Sequence, residues 1–201
     1  GKSVMKRNGS YIEDGRFICS RCLKTEVNEN NIDTVIRSVI SLLNSVGFED
    51  IIYDNFNYKL ISKDEMYKLH ATSEAVGLHS IENLAISECG ISELKETIYI
   101  LNHLTEFVFR EVVAHEILHS WQTRNYLKER FDRDEDSLKR VEGFAQMGSY
   151  LVCQDLLKHR KSYYVEQRLK RALEWDNLYY GKAFKSIYSQ FQAYPGSELQ
   201  K

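Results

Sequence analysis

Apolar residues recur at Val35, Ile36, Val39, Ile40, Leu42 and Leu43, the three-and-four spacing that lines one face of an α-helix. Asp33 stands where an N-cap is wanted and Gly47 where a helix stops, so the pattern predicts a helix over residues 33–47. Residues 58–62 and 84–88 read as short strands, with a helix over 63–70 between them. The run Thr97-Ile98-Tyr99-Ile100-Leu101-Asn102-His103 is dense in β-branched and aromatic residues, and Thr105 follows as a cap candidate; a strand and then a helix start are expected. Across residues 106–124, Phe107, Val108, Val112, Ala114, His115, Leu118 and His119 fall on neighbouring faces of one long helix. The charged string LKERFDRDED reads as a solvated connection. A second helix is expected from Asp136 through Glu142 to Leu157, and the last third, with Tyr179, Phe184, Ile187, Tyr188 and Phe191, reads as helical up to Pro195.

These elements describe an α+β chain with a small mixed sheet and a helical C-terminal part. The first residues differ from the rest: they are polar and centre on GRFICSRC, where a short strand leads into a cysteine knuckle. The expected organisation is a short appendage over residues 1–27 and one main domain over 28–201. A single proline, ten glycines and no internal repeat leave few places for linkers.

Charge and composition narrow the partners. The 27 basic and 29 acidic residues give a formal charge of -2, without the basic field that nucleic acid or an anionic membrane wants. No apolar run approaches the roughly 20 residues of a membrane span, and the start GKSVMKRNGSYIEDGR lacks a signal peptide's apolar centre, so the cytoplasm is the expected compartment. Cys19 and Cys22 form a close pair while Cys89 and Cys153 stand apart in apolar segments, which favours reduced thiols, the latter two as small core residues.

The candidate chemistry lies in His115-Glu116-Ile117-Leu118-His119. Residues four apart on a helix project from one side, so His115 and His119 can offer two imidazole nitrogens to one tetrahedral Zn2+ ion. Glu116, about 100° further round, can reach a water held on that ion and act as general base, while the ion brings the water's pKa towards about 7. A catalytic zinc needs a third protein ligand. Glu142, on the second helix in the string VEGFAQ, supplies it, with Gly143 small enough to permit close helix approach. Gln146 and Tyr150, one and two turns on, are candidates for supporting bonds or for steadying an oxyanion. Tyr99 and His103 are candidates for the substrate cleft, since their strand, if it forms an exposed edge, could accept an extended peptide as a further strand. The other histidines, His70, His79 and His159, are expected at the surface or as caps.

Cys19 and Cys22, as CxxC, have the spacing of half a tetrahedral structural zinc site, whose remaining ligands would have to precede Gly1. An unliganded pair is the alternative. Redox chemistry is disfavoured because no helix N-terminus clearly follows Cys19.

Four strings together carry a family likeness: SYIEDGRFICSRC, TIYILNHLTEFVFREVVAHEILHSW, VEGFAQMGSYLV and YYGKAFKSIYSQF. They resemble the ubiquitin-activated LIM peptidases that limit organ size in plants, and especially their smaller bacterial relatives. The likeness spans most of residues 11–191 and is loose over 28–82. It implies a zincin-like metallopeptidase domain, zinc ligands at His115, His119 and Glu142, a catalytic Glu116, a retained Gln146 and a LIM-like appendage. The plant members' ubiquitin-interacting motifs and complete LIM domain do not carry over. Two functions follow as expectations: a zinc metallopeptidase acting on peptide or protein substrates, or a zinc-bearing protein-interaction module built on a peptidase fold.

Overall fold

A computed structural model describes residues 8–70, 75–88, 90–126, 134–159, 161–174 and 181–193. The chain opens with a hairpin of β1 (Gly9–Tyr11) and β2 (Phe17–Cys19), followed by a one-turn helix α1 (Ser20–Leu23). Next come α2 (Ile32–Ser45), a 3-10 turn (Tyr53–Asn55), β3 (Asn57–Ile61), α3 (Lys63–His70), β4 (Gly77–Ser87) and β5 (Gly90–Leu101). The helices α4 (Glu106–Asn125), α5 (Glu135–His159), α6 (Tyr163–Glu174) and α7 (Ala183–Ala193) complete the described residues. The class is α+β, with a two-stranded and a mixed three-stranded sheet. Among the described residues no helix is long and apolar enough to cross a membrane. Tyr179, Cys89, Pro195 and most of the LKERFDRDED string lie outside the described residues.

Helix α2 buries the face its periodicity marks, with Ile36, Val39 and Leu43 fully enclosed. Each such side chain contributes roughly 2 kcal/mol of gross burial free energy. Gly47 takes φ +105, and the Gly47 and Phe48 amides donate back to the Asn44 and Leu43 carbonyls at 3.2 and 3.1 Å. The helix thus ends in a Schellman turn that needs a left-handed residue at this point. Its start differs from expectation. Asn31 occupies the cap position, and Asp33 lies in the first turn, where its charge favours the helix dipole without capping.

The three-stranded sheet has the order β3-β5-β4, with β3 parallel and β4 antiparallel to β5. The strand of Tyr99 and Leu101 is therefore central, not an edge, which corrects the expected docking rim. The edge beside α4 is β4. Both β4 and β5 begin or extend well beyond the apolar runs. Their outer halves are held by polar cross-strand pairs: Asn83 Nδ2 to Glu93 Oε1 at 2.8 Å, Lys95 Nζ to Glu82 Oε2 at 3.0 Å, and Thr97 Oγ1 to Glu82 Oε1 at 2.6 Å. β5 stops at Leu101 rather than His103, because His103 adopts a left-handed φ of 56° at the corner leading into α4.

Alternation along β5 places Glu96, Ile98 and Ile100 on one face, and that face meets α4, because Glu96 bonds Ser120 and Arg124. α4 also packs on α2, β4 and α5, while α5 carries α6 and α7 on its other sides. A helix so enclosed buries even Glu111 and Glu116. The N-terminal hairpin is fastened to the β5–α4 corner. Arg16 Nη2 donates to the Asn102 carbonyl and Oδ1 at 3.1 and 2.9 Å, the Val27 amide to the Leu104 carbonyl at 3.0 Å, and Glu26 Oε1 meets His103 Nδ1 at 2.7 Å.

Candidate metal centre

His115 and His119 stand one turn apart on α4 with their rings edge to face, 4.7 Å between centroids. Their Nε2 atoms are 3.1 Å apart, and Glu142 Oε2 of α5 lies 3.4 Å from the first and 3.6 Å from the second. An ion with bonds of about 2.0 to 2.1 Å to three corners of a tetrahedron separates its ligand atoms by about 3.4 Å. The three spacings bracket that value, so the donor set and its geometry fit a zinc-sized cation. Among the described residues this is the group of three or more acidic, histidine or cysteine side chains placed to hold a metal. The set is graded in exposure, from 6 % for the His119 side chain to 26 % for that of Glu142.

Glu142 is positioned by the antiparallel pairing of α5 with α4. Gln122 meets Val141, Ala114 meets Gly148, and the Glu111 carbonyl receives Ser149 Oγ at 2.9 Å. The close approach occurs at Gly148, against the main chain of Ala114 and His115. Gly143 serves another contact: its missing Cβ makes room for Ala183 and Phe184 at the start of α7. Burial alone would raise the Glu142 carboxyl, but the imidazoles of His115 and then His119 hold it far below the usual carboxylate range.

Glu116 is 7 % exposed and lies beneath the edge strand β4 at Gly77, the one residue type whose main chain can pass this close to the carboxylate. Two supports were not visible as such in the sequence. Gln122, three residues after His119, places Oε1 3.2 Å from His119 Nδ1. Glu96 of β5 is almost fully buried and receives Ser120 Oγ at 2.7 Å and Arg124 Nη2 at 2.7 Å from α4, and meets His79 Nε2 of β4 at 2.8 Å. It clamps the ligand helix to both strands. His79 is consequently buried, against the expectation of a surface residue, and its ring lies 6.5 Å from that of His119.

Tyr150, Tyr99 and His103 fall elsewhere. Tyr150 sits in an aromatic cluster with Phe184 and Tyr188, its hydroxyl 2.8 Å from that of Tyr188 and 2.9 Å from Gln154 Nε2. Burial first, and then the Tyr188 hydroxyl, push its phenol well above the ordinary value. Gln146 follows Glu142 by one turn and is half-buried. Tyr99 is on the central strand with Lys59 Nζ 5.6 Å above its ring. His103 pairs with Glu26 ahead of α4, whose first residue precedes His115 by nine positions, or about 13 Å. The structure brings neither to the ligand group as an edge residue would be.

Cys19 and Cys22 are free thiols with their sulfurs 3.2 Å apart, and no third ligating side chain among the described residues joins them. A helix does follow Cys19, contrary to expectation: Cys19 caps α1, its Sγ accepting the Cys22 amide at 3.4 Å. The Cys22 side chain and then that amide hold the Cys19 thiol below its ordinary value, while burial pushes Cys22 up.

Comparison with known proteins yields no neighbour: no protein-family profile, no curated protein and no solved structure matches the chain.

Proposed function

We propose that the chain is a zinc-dependent metallopeptidase with a zincin-like domain, akin to the family its sequence strings resemble. The observation that carries this reading is the near-tetrahedral spacing of His115, His119 and Glu142 with the buried Glu116 one residue from the first of them. His115, His119 and Glu142 would hold the ion. A bound zinc supplies a Lewis acid and a water acidified towards neutral pH. Glu116 is the proton acceptor: it lies on the same helix turn as the ligands, and the Gly77 main chain passes close over its carboxylate. β4, an edge strand among the described residues, supplies the hydrogen-bonding rim beside Glu116 onto which a substrate main chain would add as a strand. Glu96 keeps the ligand helix in register with that rim.

The reading is tested by bound-metal analysis and cleavage of unfolded protein substrates in the parent, Glu116→Gln and Glu142→Ala. One zinc per chain is expected in the parent and in Glu116→Gln, with zinc lost in Glu142→Ala. Cleavage should fall by a factor of about 10² to 10⁴ in Glu116→Gln. Undiminished cleavage by Glu116→Gln would remove the general base from the proposal.

A further inference from the structure

Gln122 is 6 % exposed, and the orientation of its amide is forced. A main-chain carbonyl oxygen only accepts, so the Val141 carbonyl, 3.2 Å from Gln122 Nε2, requires the NH2 group on its side. Oε1, which also only accepts, is then left facing His119 Nδ1 at 3.2 Å. Nδ1 must therefore carry a proton, which leaves Nε2, the nitrogen that faces His115 and Glu142, as the one that can turn a lone pair to a metal. Val141 is the residue before Glu142. One glutamine therefore reads the position of the third ligand's backbone and sets the proton of the second ligand accordingly.

We propose that Gln122 is the positioning residue of the metal centre, fixing the His119 tautomer and coupling it to the α5 segment that delivers Glu142. The inference rests on the metal-centre reading. It assigns a role to a residue outside the HEILH string and outside the ligand set. A leucine at this position would fill similar space, leave Nδ1 without its acceptor and let the proton move to Nε2, where it competes with the metal.

The test has two readouts. Nitrogen-15 spectra of the imidazoles in the metal-free protein give the His119 tautomer, and competition with a chromophoric chelator gives zinc affinity, for the parent, Gln122→Leu and Gln122→Glu. The parent should show the proton on Nδ1. Gln122→Leu should show a mixed tautomer and bind zinc roughly 10- to 100-fold more weakly, with unchanged far-ultraviolet circular dichroism. Gln122→Glu keeps an acceptor for Nδ1 but loses the donor that holds the Val141 carbonyl, so it should retain the Nδ1 proton and still bind zinc more weakly than the parent. An unprotonated Nδ1 in the parent, or zinc affinity in Gln122→Leu within about twofold of the parent, overturns the inference. Should Gln122→Leu not fold, the parent tautomer and the Gln122→Glu affinity still decide it. A parent that binds no zinc would instead sink the peptidase reading, leaving the tautomer to judge Gln122.

Discussion

The Glu116 carboxylate lies directly beneath the main chain of Gly77, with its Oε1 only 2.6 Å from where a Cβ on that residue would stand. Val112 Cγ1 would be 2.5 Å away, so the position is walled on two sides. In Gly77→Ala either the carboxylate swings aside or the strand lifts. Peptide cleavage should drop about 10- to 100-fold, because misplacing a reacting group by about 1 Å is that harmful. Zinc content should be unchanged, and a variant that cleaves as fast as the parent would show that the clearance is not needed.

A second glycine sets the ligand geometry. Gly148→Ala would bring its Cβ to 2.5 Å from the Ala114 carbonyl oxygen and 3.2 Å from the His115 amide nitrogen, main-chain atoms that cannot rotate away. The helices carrying His115 and Glu142 must part. Urea denaturation should show a loss of about 1 to 3 kcal/mol, and chelator competition should show weaker zinc binding. Weaker stability with unaltered zinc affinity would mean that the crossing does not control the spacing of the ligands.

Glu96 satisfies three donors from two elements, and His79 Nδ1 and Arg124 Nε nearby already have no hydrogen-bond partner among the described residues. Glu96→Ala would strand Ser120 and His79 in the interior and leave Arg124 without its counter-charge. A loss of about 3 to 5 kcal/mol is expected. Denaturation within about 1 kcal/mol of the parent would show that the clamp is dispensable.

Between α4 and α6, Arg168 grips Glu111 through Nε to Oε1 at 3.2 Å and Nη2 to Oε2 at 2.9 Å, with Cys153 Sγ at 3.4 Å. Burial raises the Glu111 carboxyl despite that cation. A carboxyl raised in the folded state favours folding most below its unfolded value near 4.3, and that contribution is lost as pH rises through the folded value. Removing the cation raises Glu111 further. Arg168→Ala should therefore lose stability more steeply than the parent as pH increases from about 4 to 8, and Glu111→Gln in the same background should flatten the curve. Parallel pH profiles for parent and Arg168→Ala would contradict this.

The candidate ligand pair was legible because its information is local: two histidines four apart on one helix need no tertiary knowledge, and a zinc site would then ask for a residue such as Glu142. Tyr150 shows where spacing misleads. Eight residues beyond Glu142 is two turns, but 3.6 residues per turn rotates that side chain by about 80°, and it faces Tyr188 of α7 instead. His79 was expected at the surface or as a cap because nothing local marks its partner Glu96, 17 residues away, and Glu96 is in turn held by Ser120, a further 24 residues on. The central place of β5 depends on parallel pairing with β3 across a helix and a strand, which no local pattern encodes. Gln122 carried no mark at all, since a helical glutamine reads the same whether it meets water or an imidazole.

The register of β4 against β5 shifts twice, between Ile81 and Asn83 and between Ala85 and Ile86. Such irregularities twist a rim away from further pairing. Along β4, the straight stretch is therefore residues 77–81, the part that runs over Glu116. Peptides lengthened on that side should gain affinity up to about five residues, or about 17 Å of extended chain, and no further; a gain continuing well past that length would refute it. On the proposed peptidase reading the strand would then act as a gauge, admitting a short unfolded segment beside Glu116 and turning away the sheets of folded proteins, the protein's own copies included.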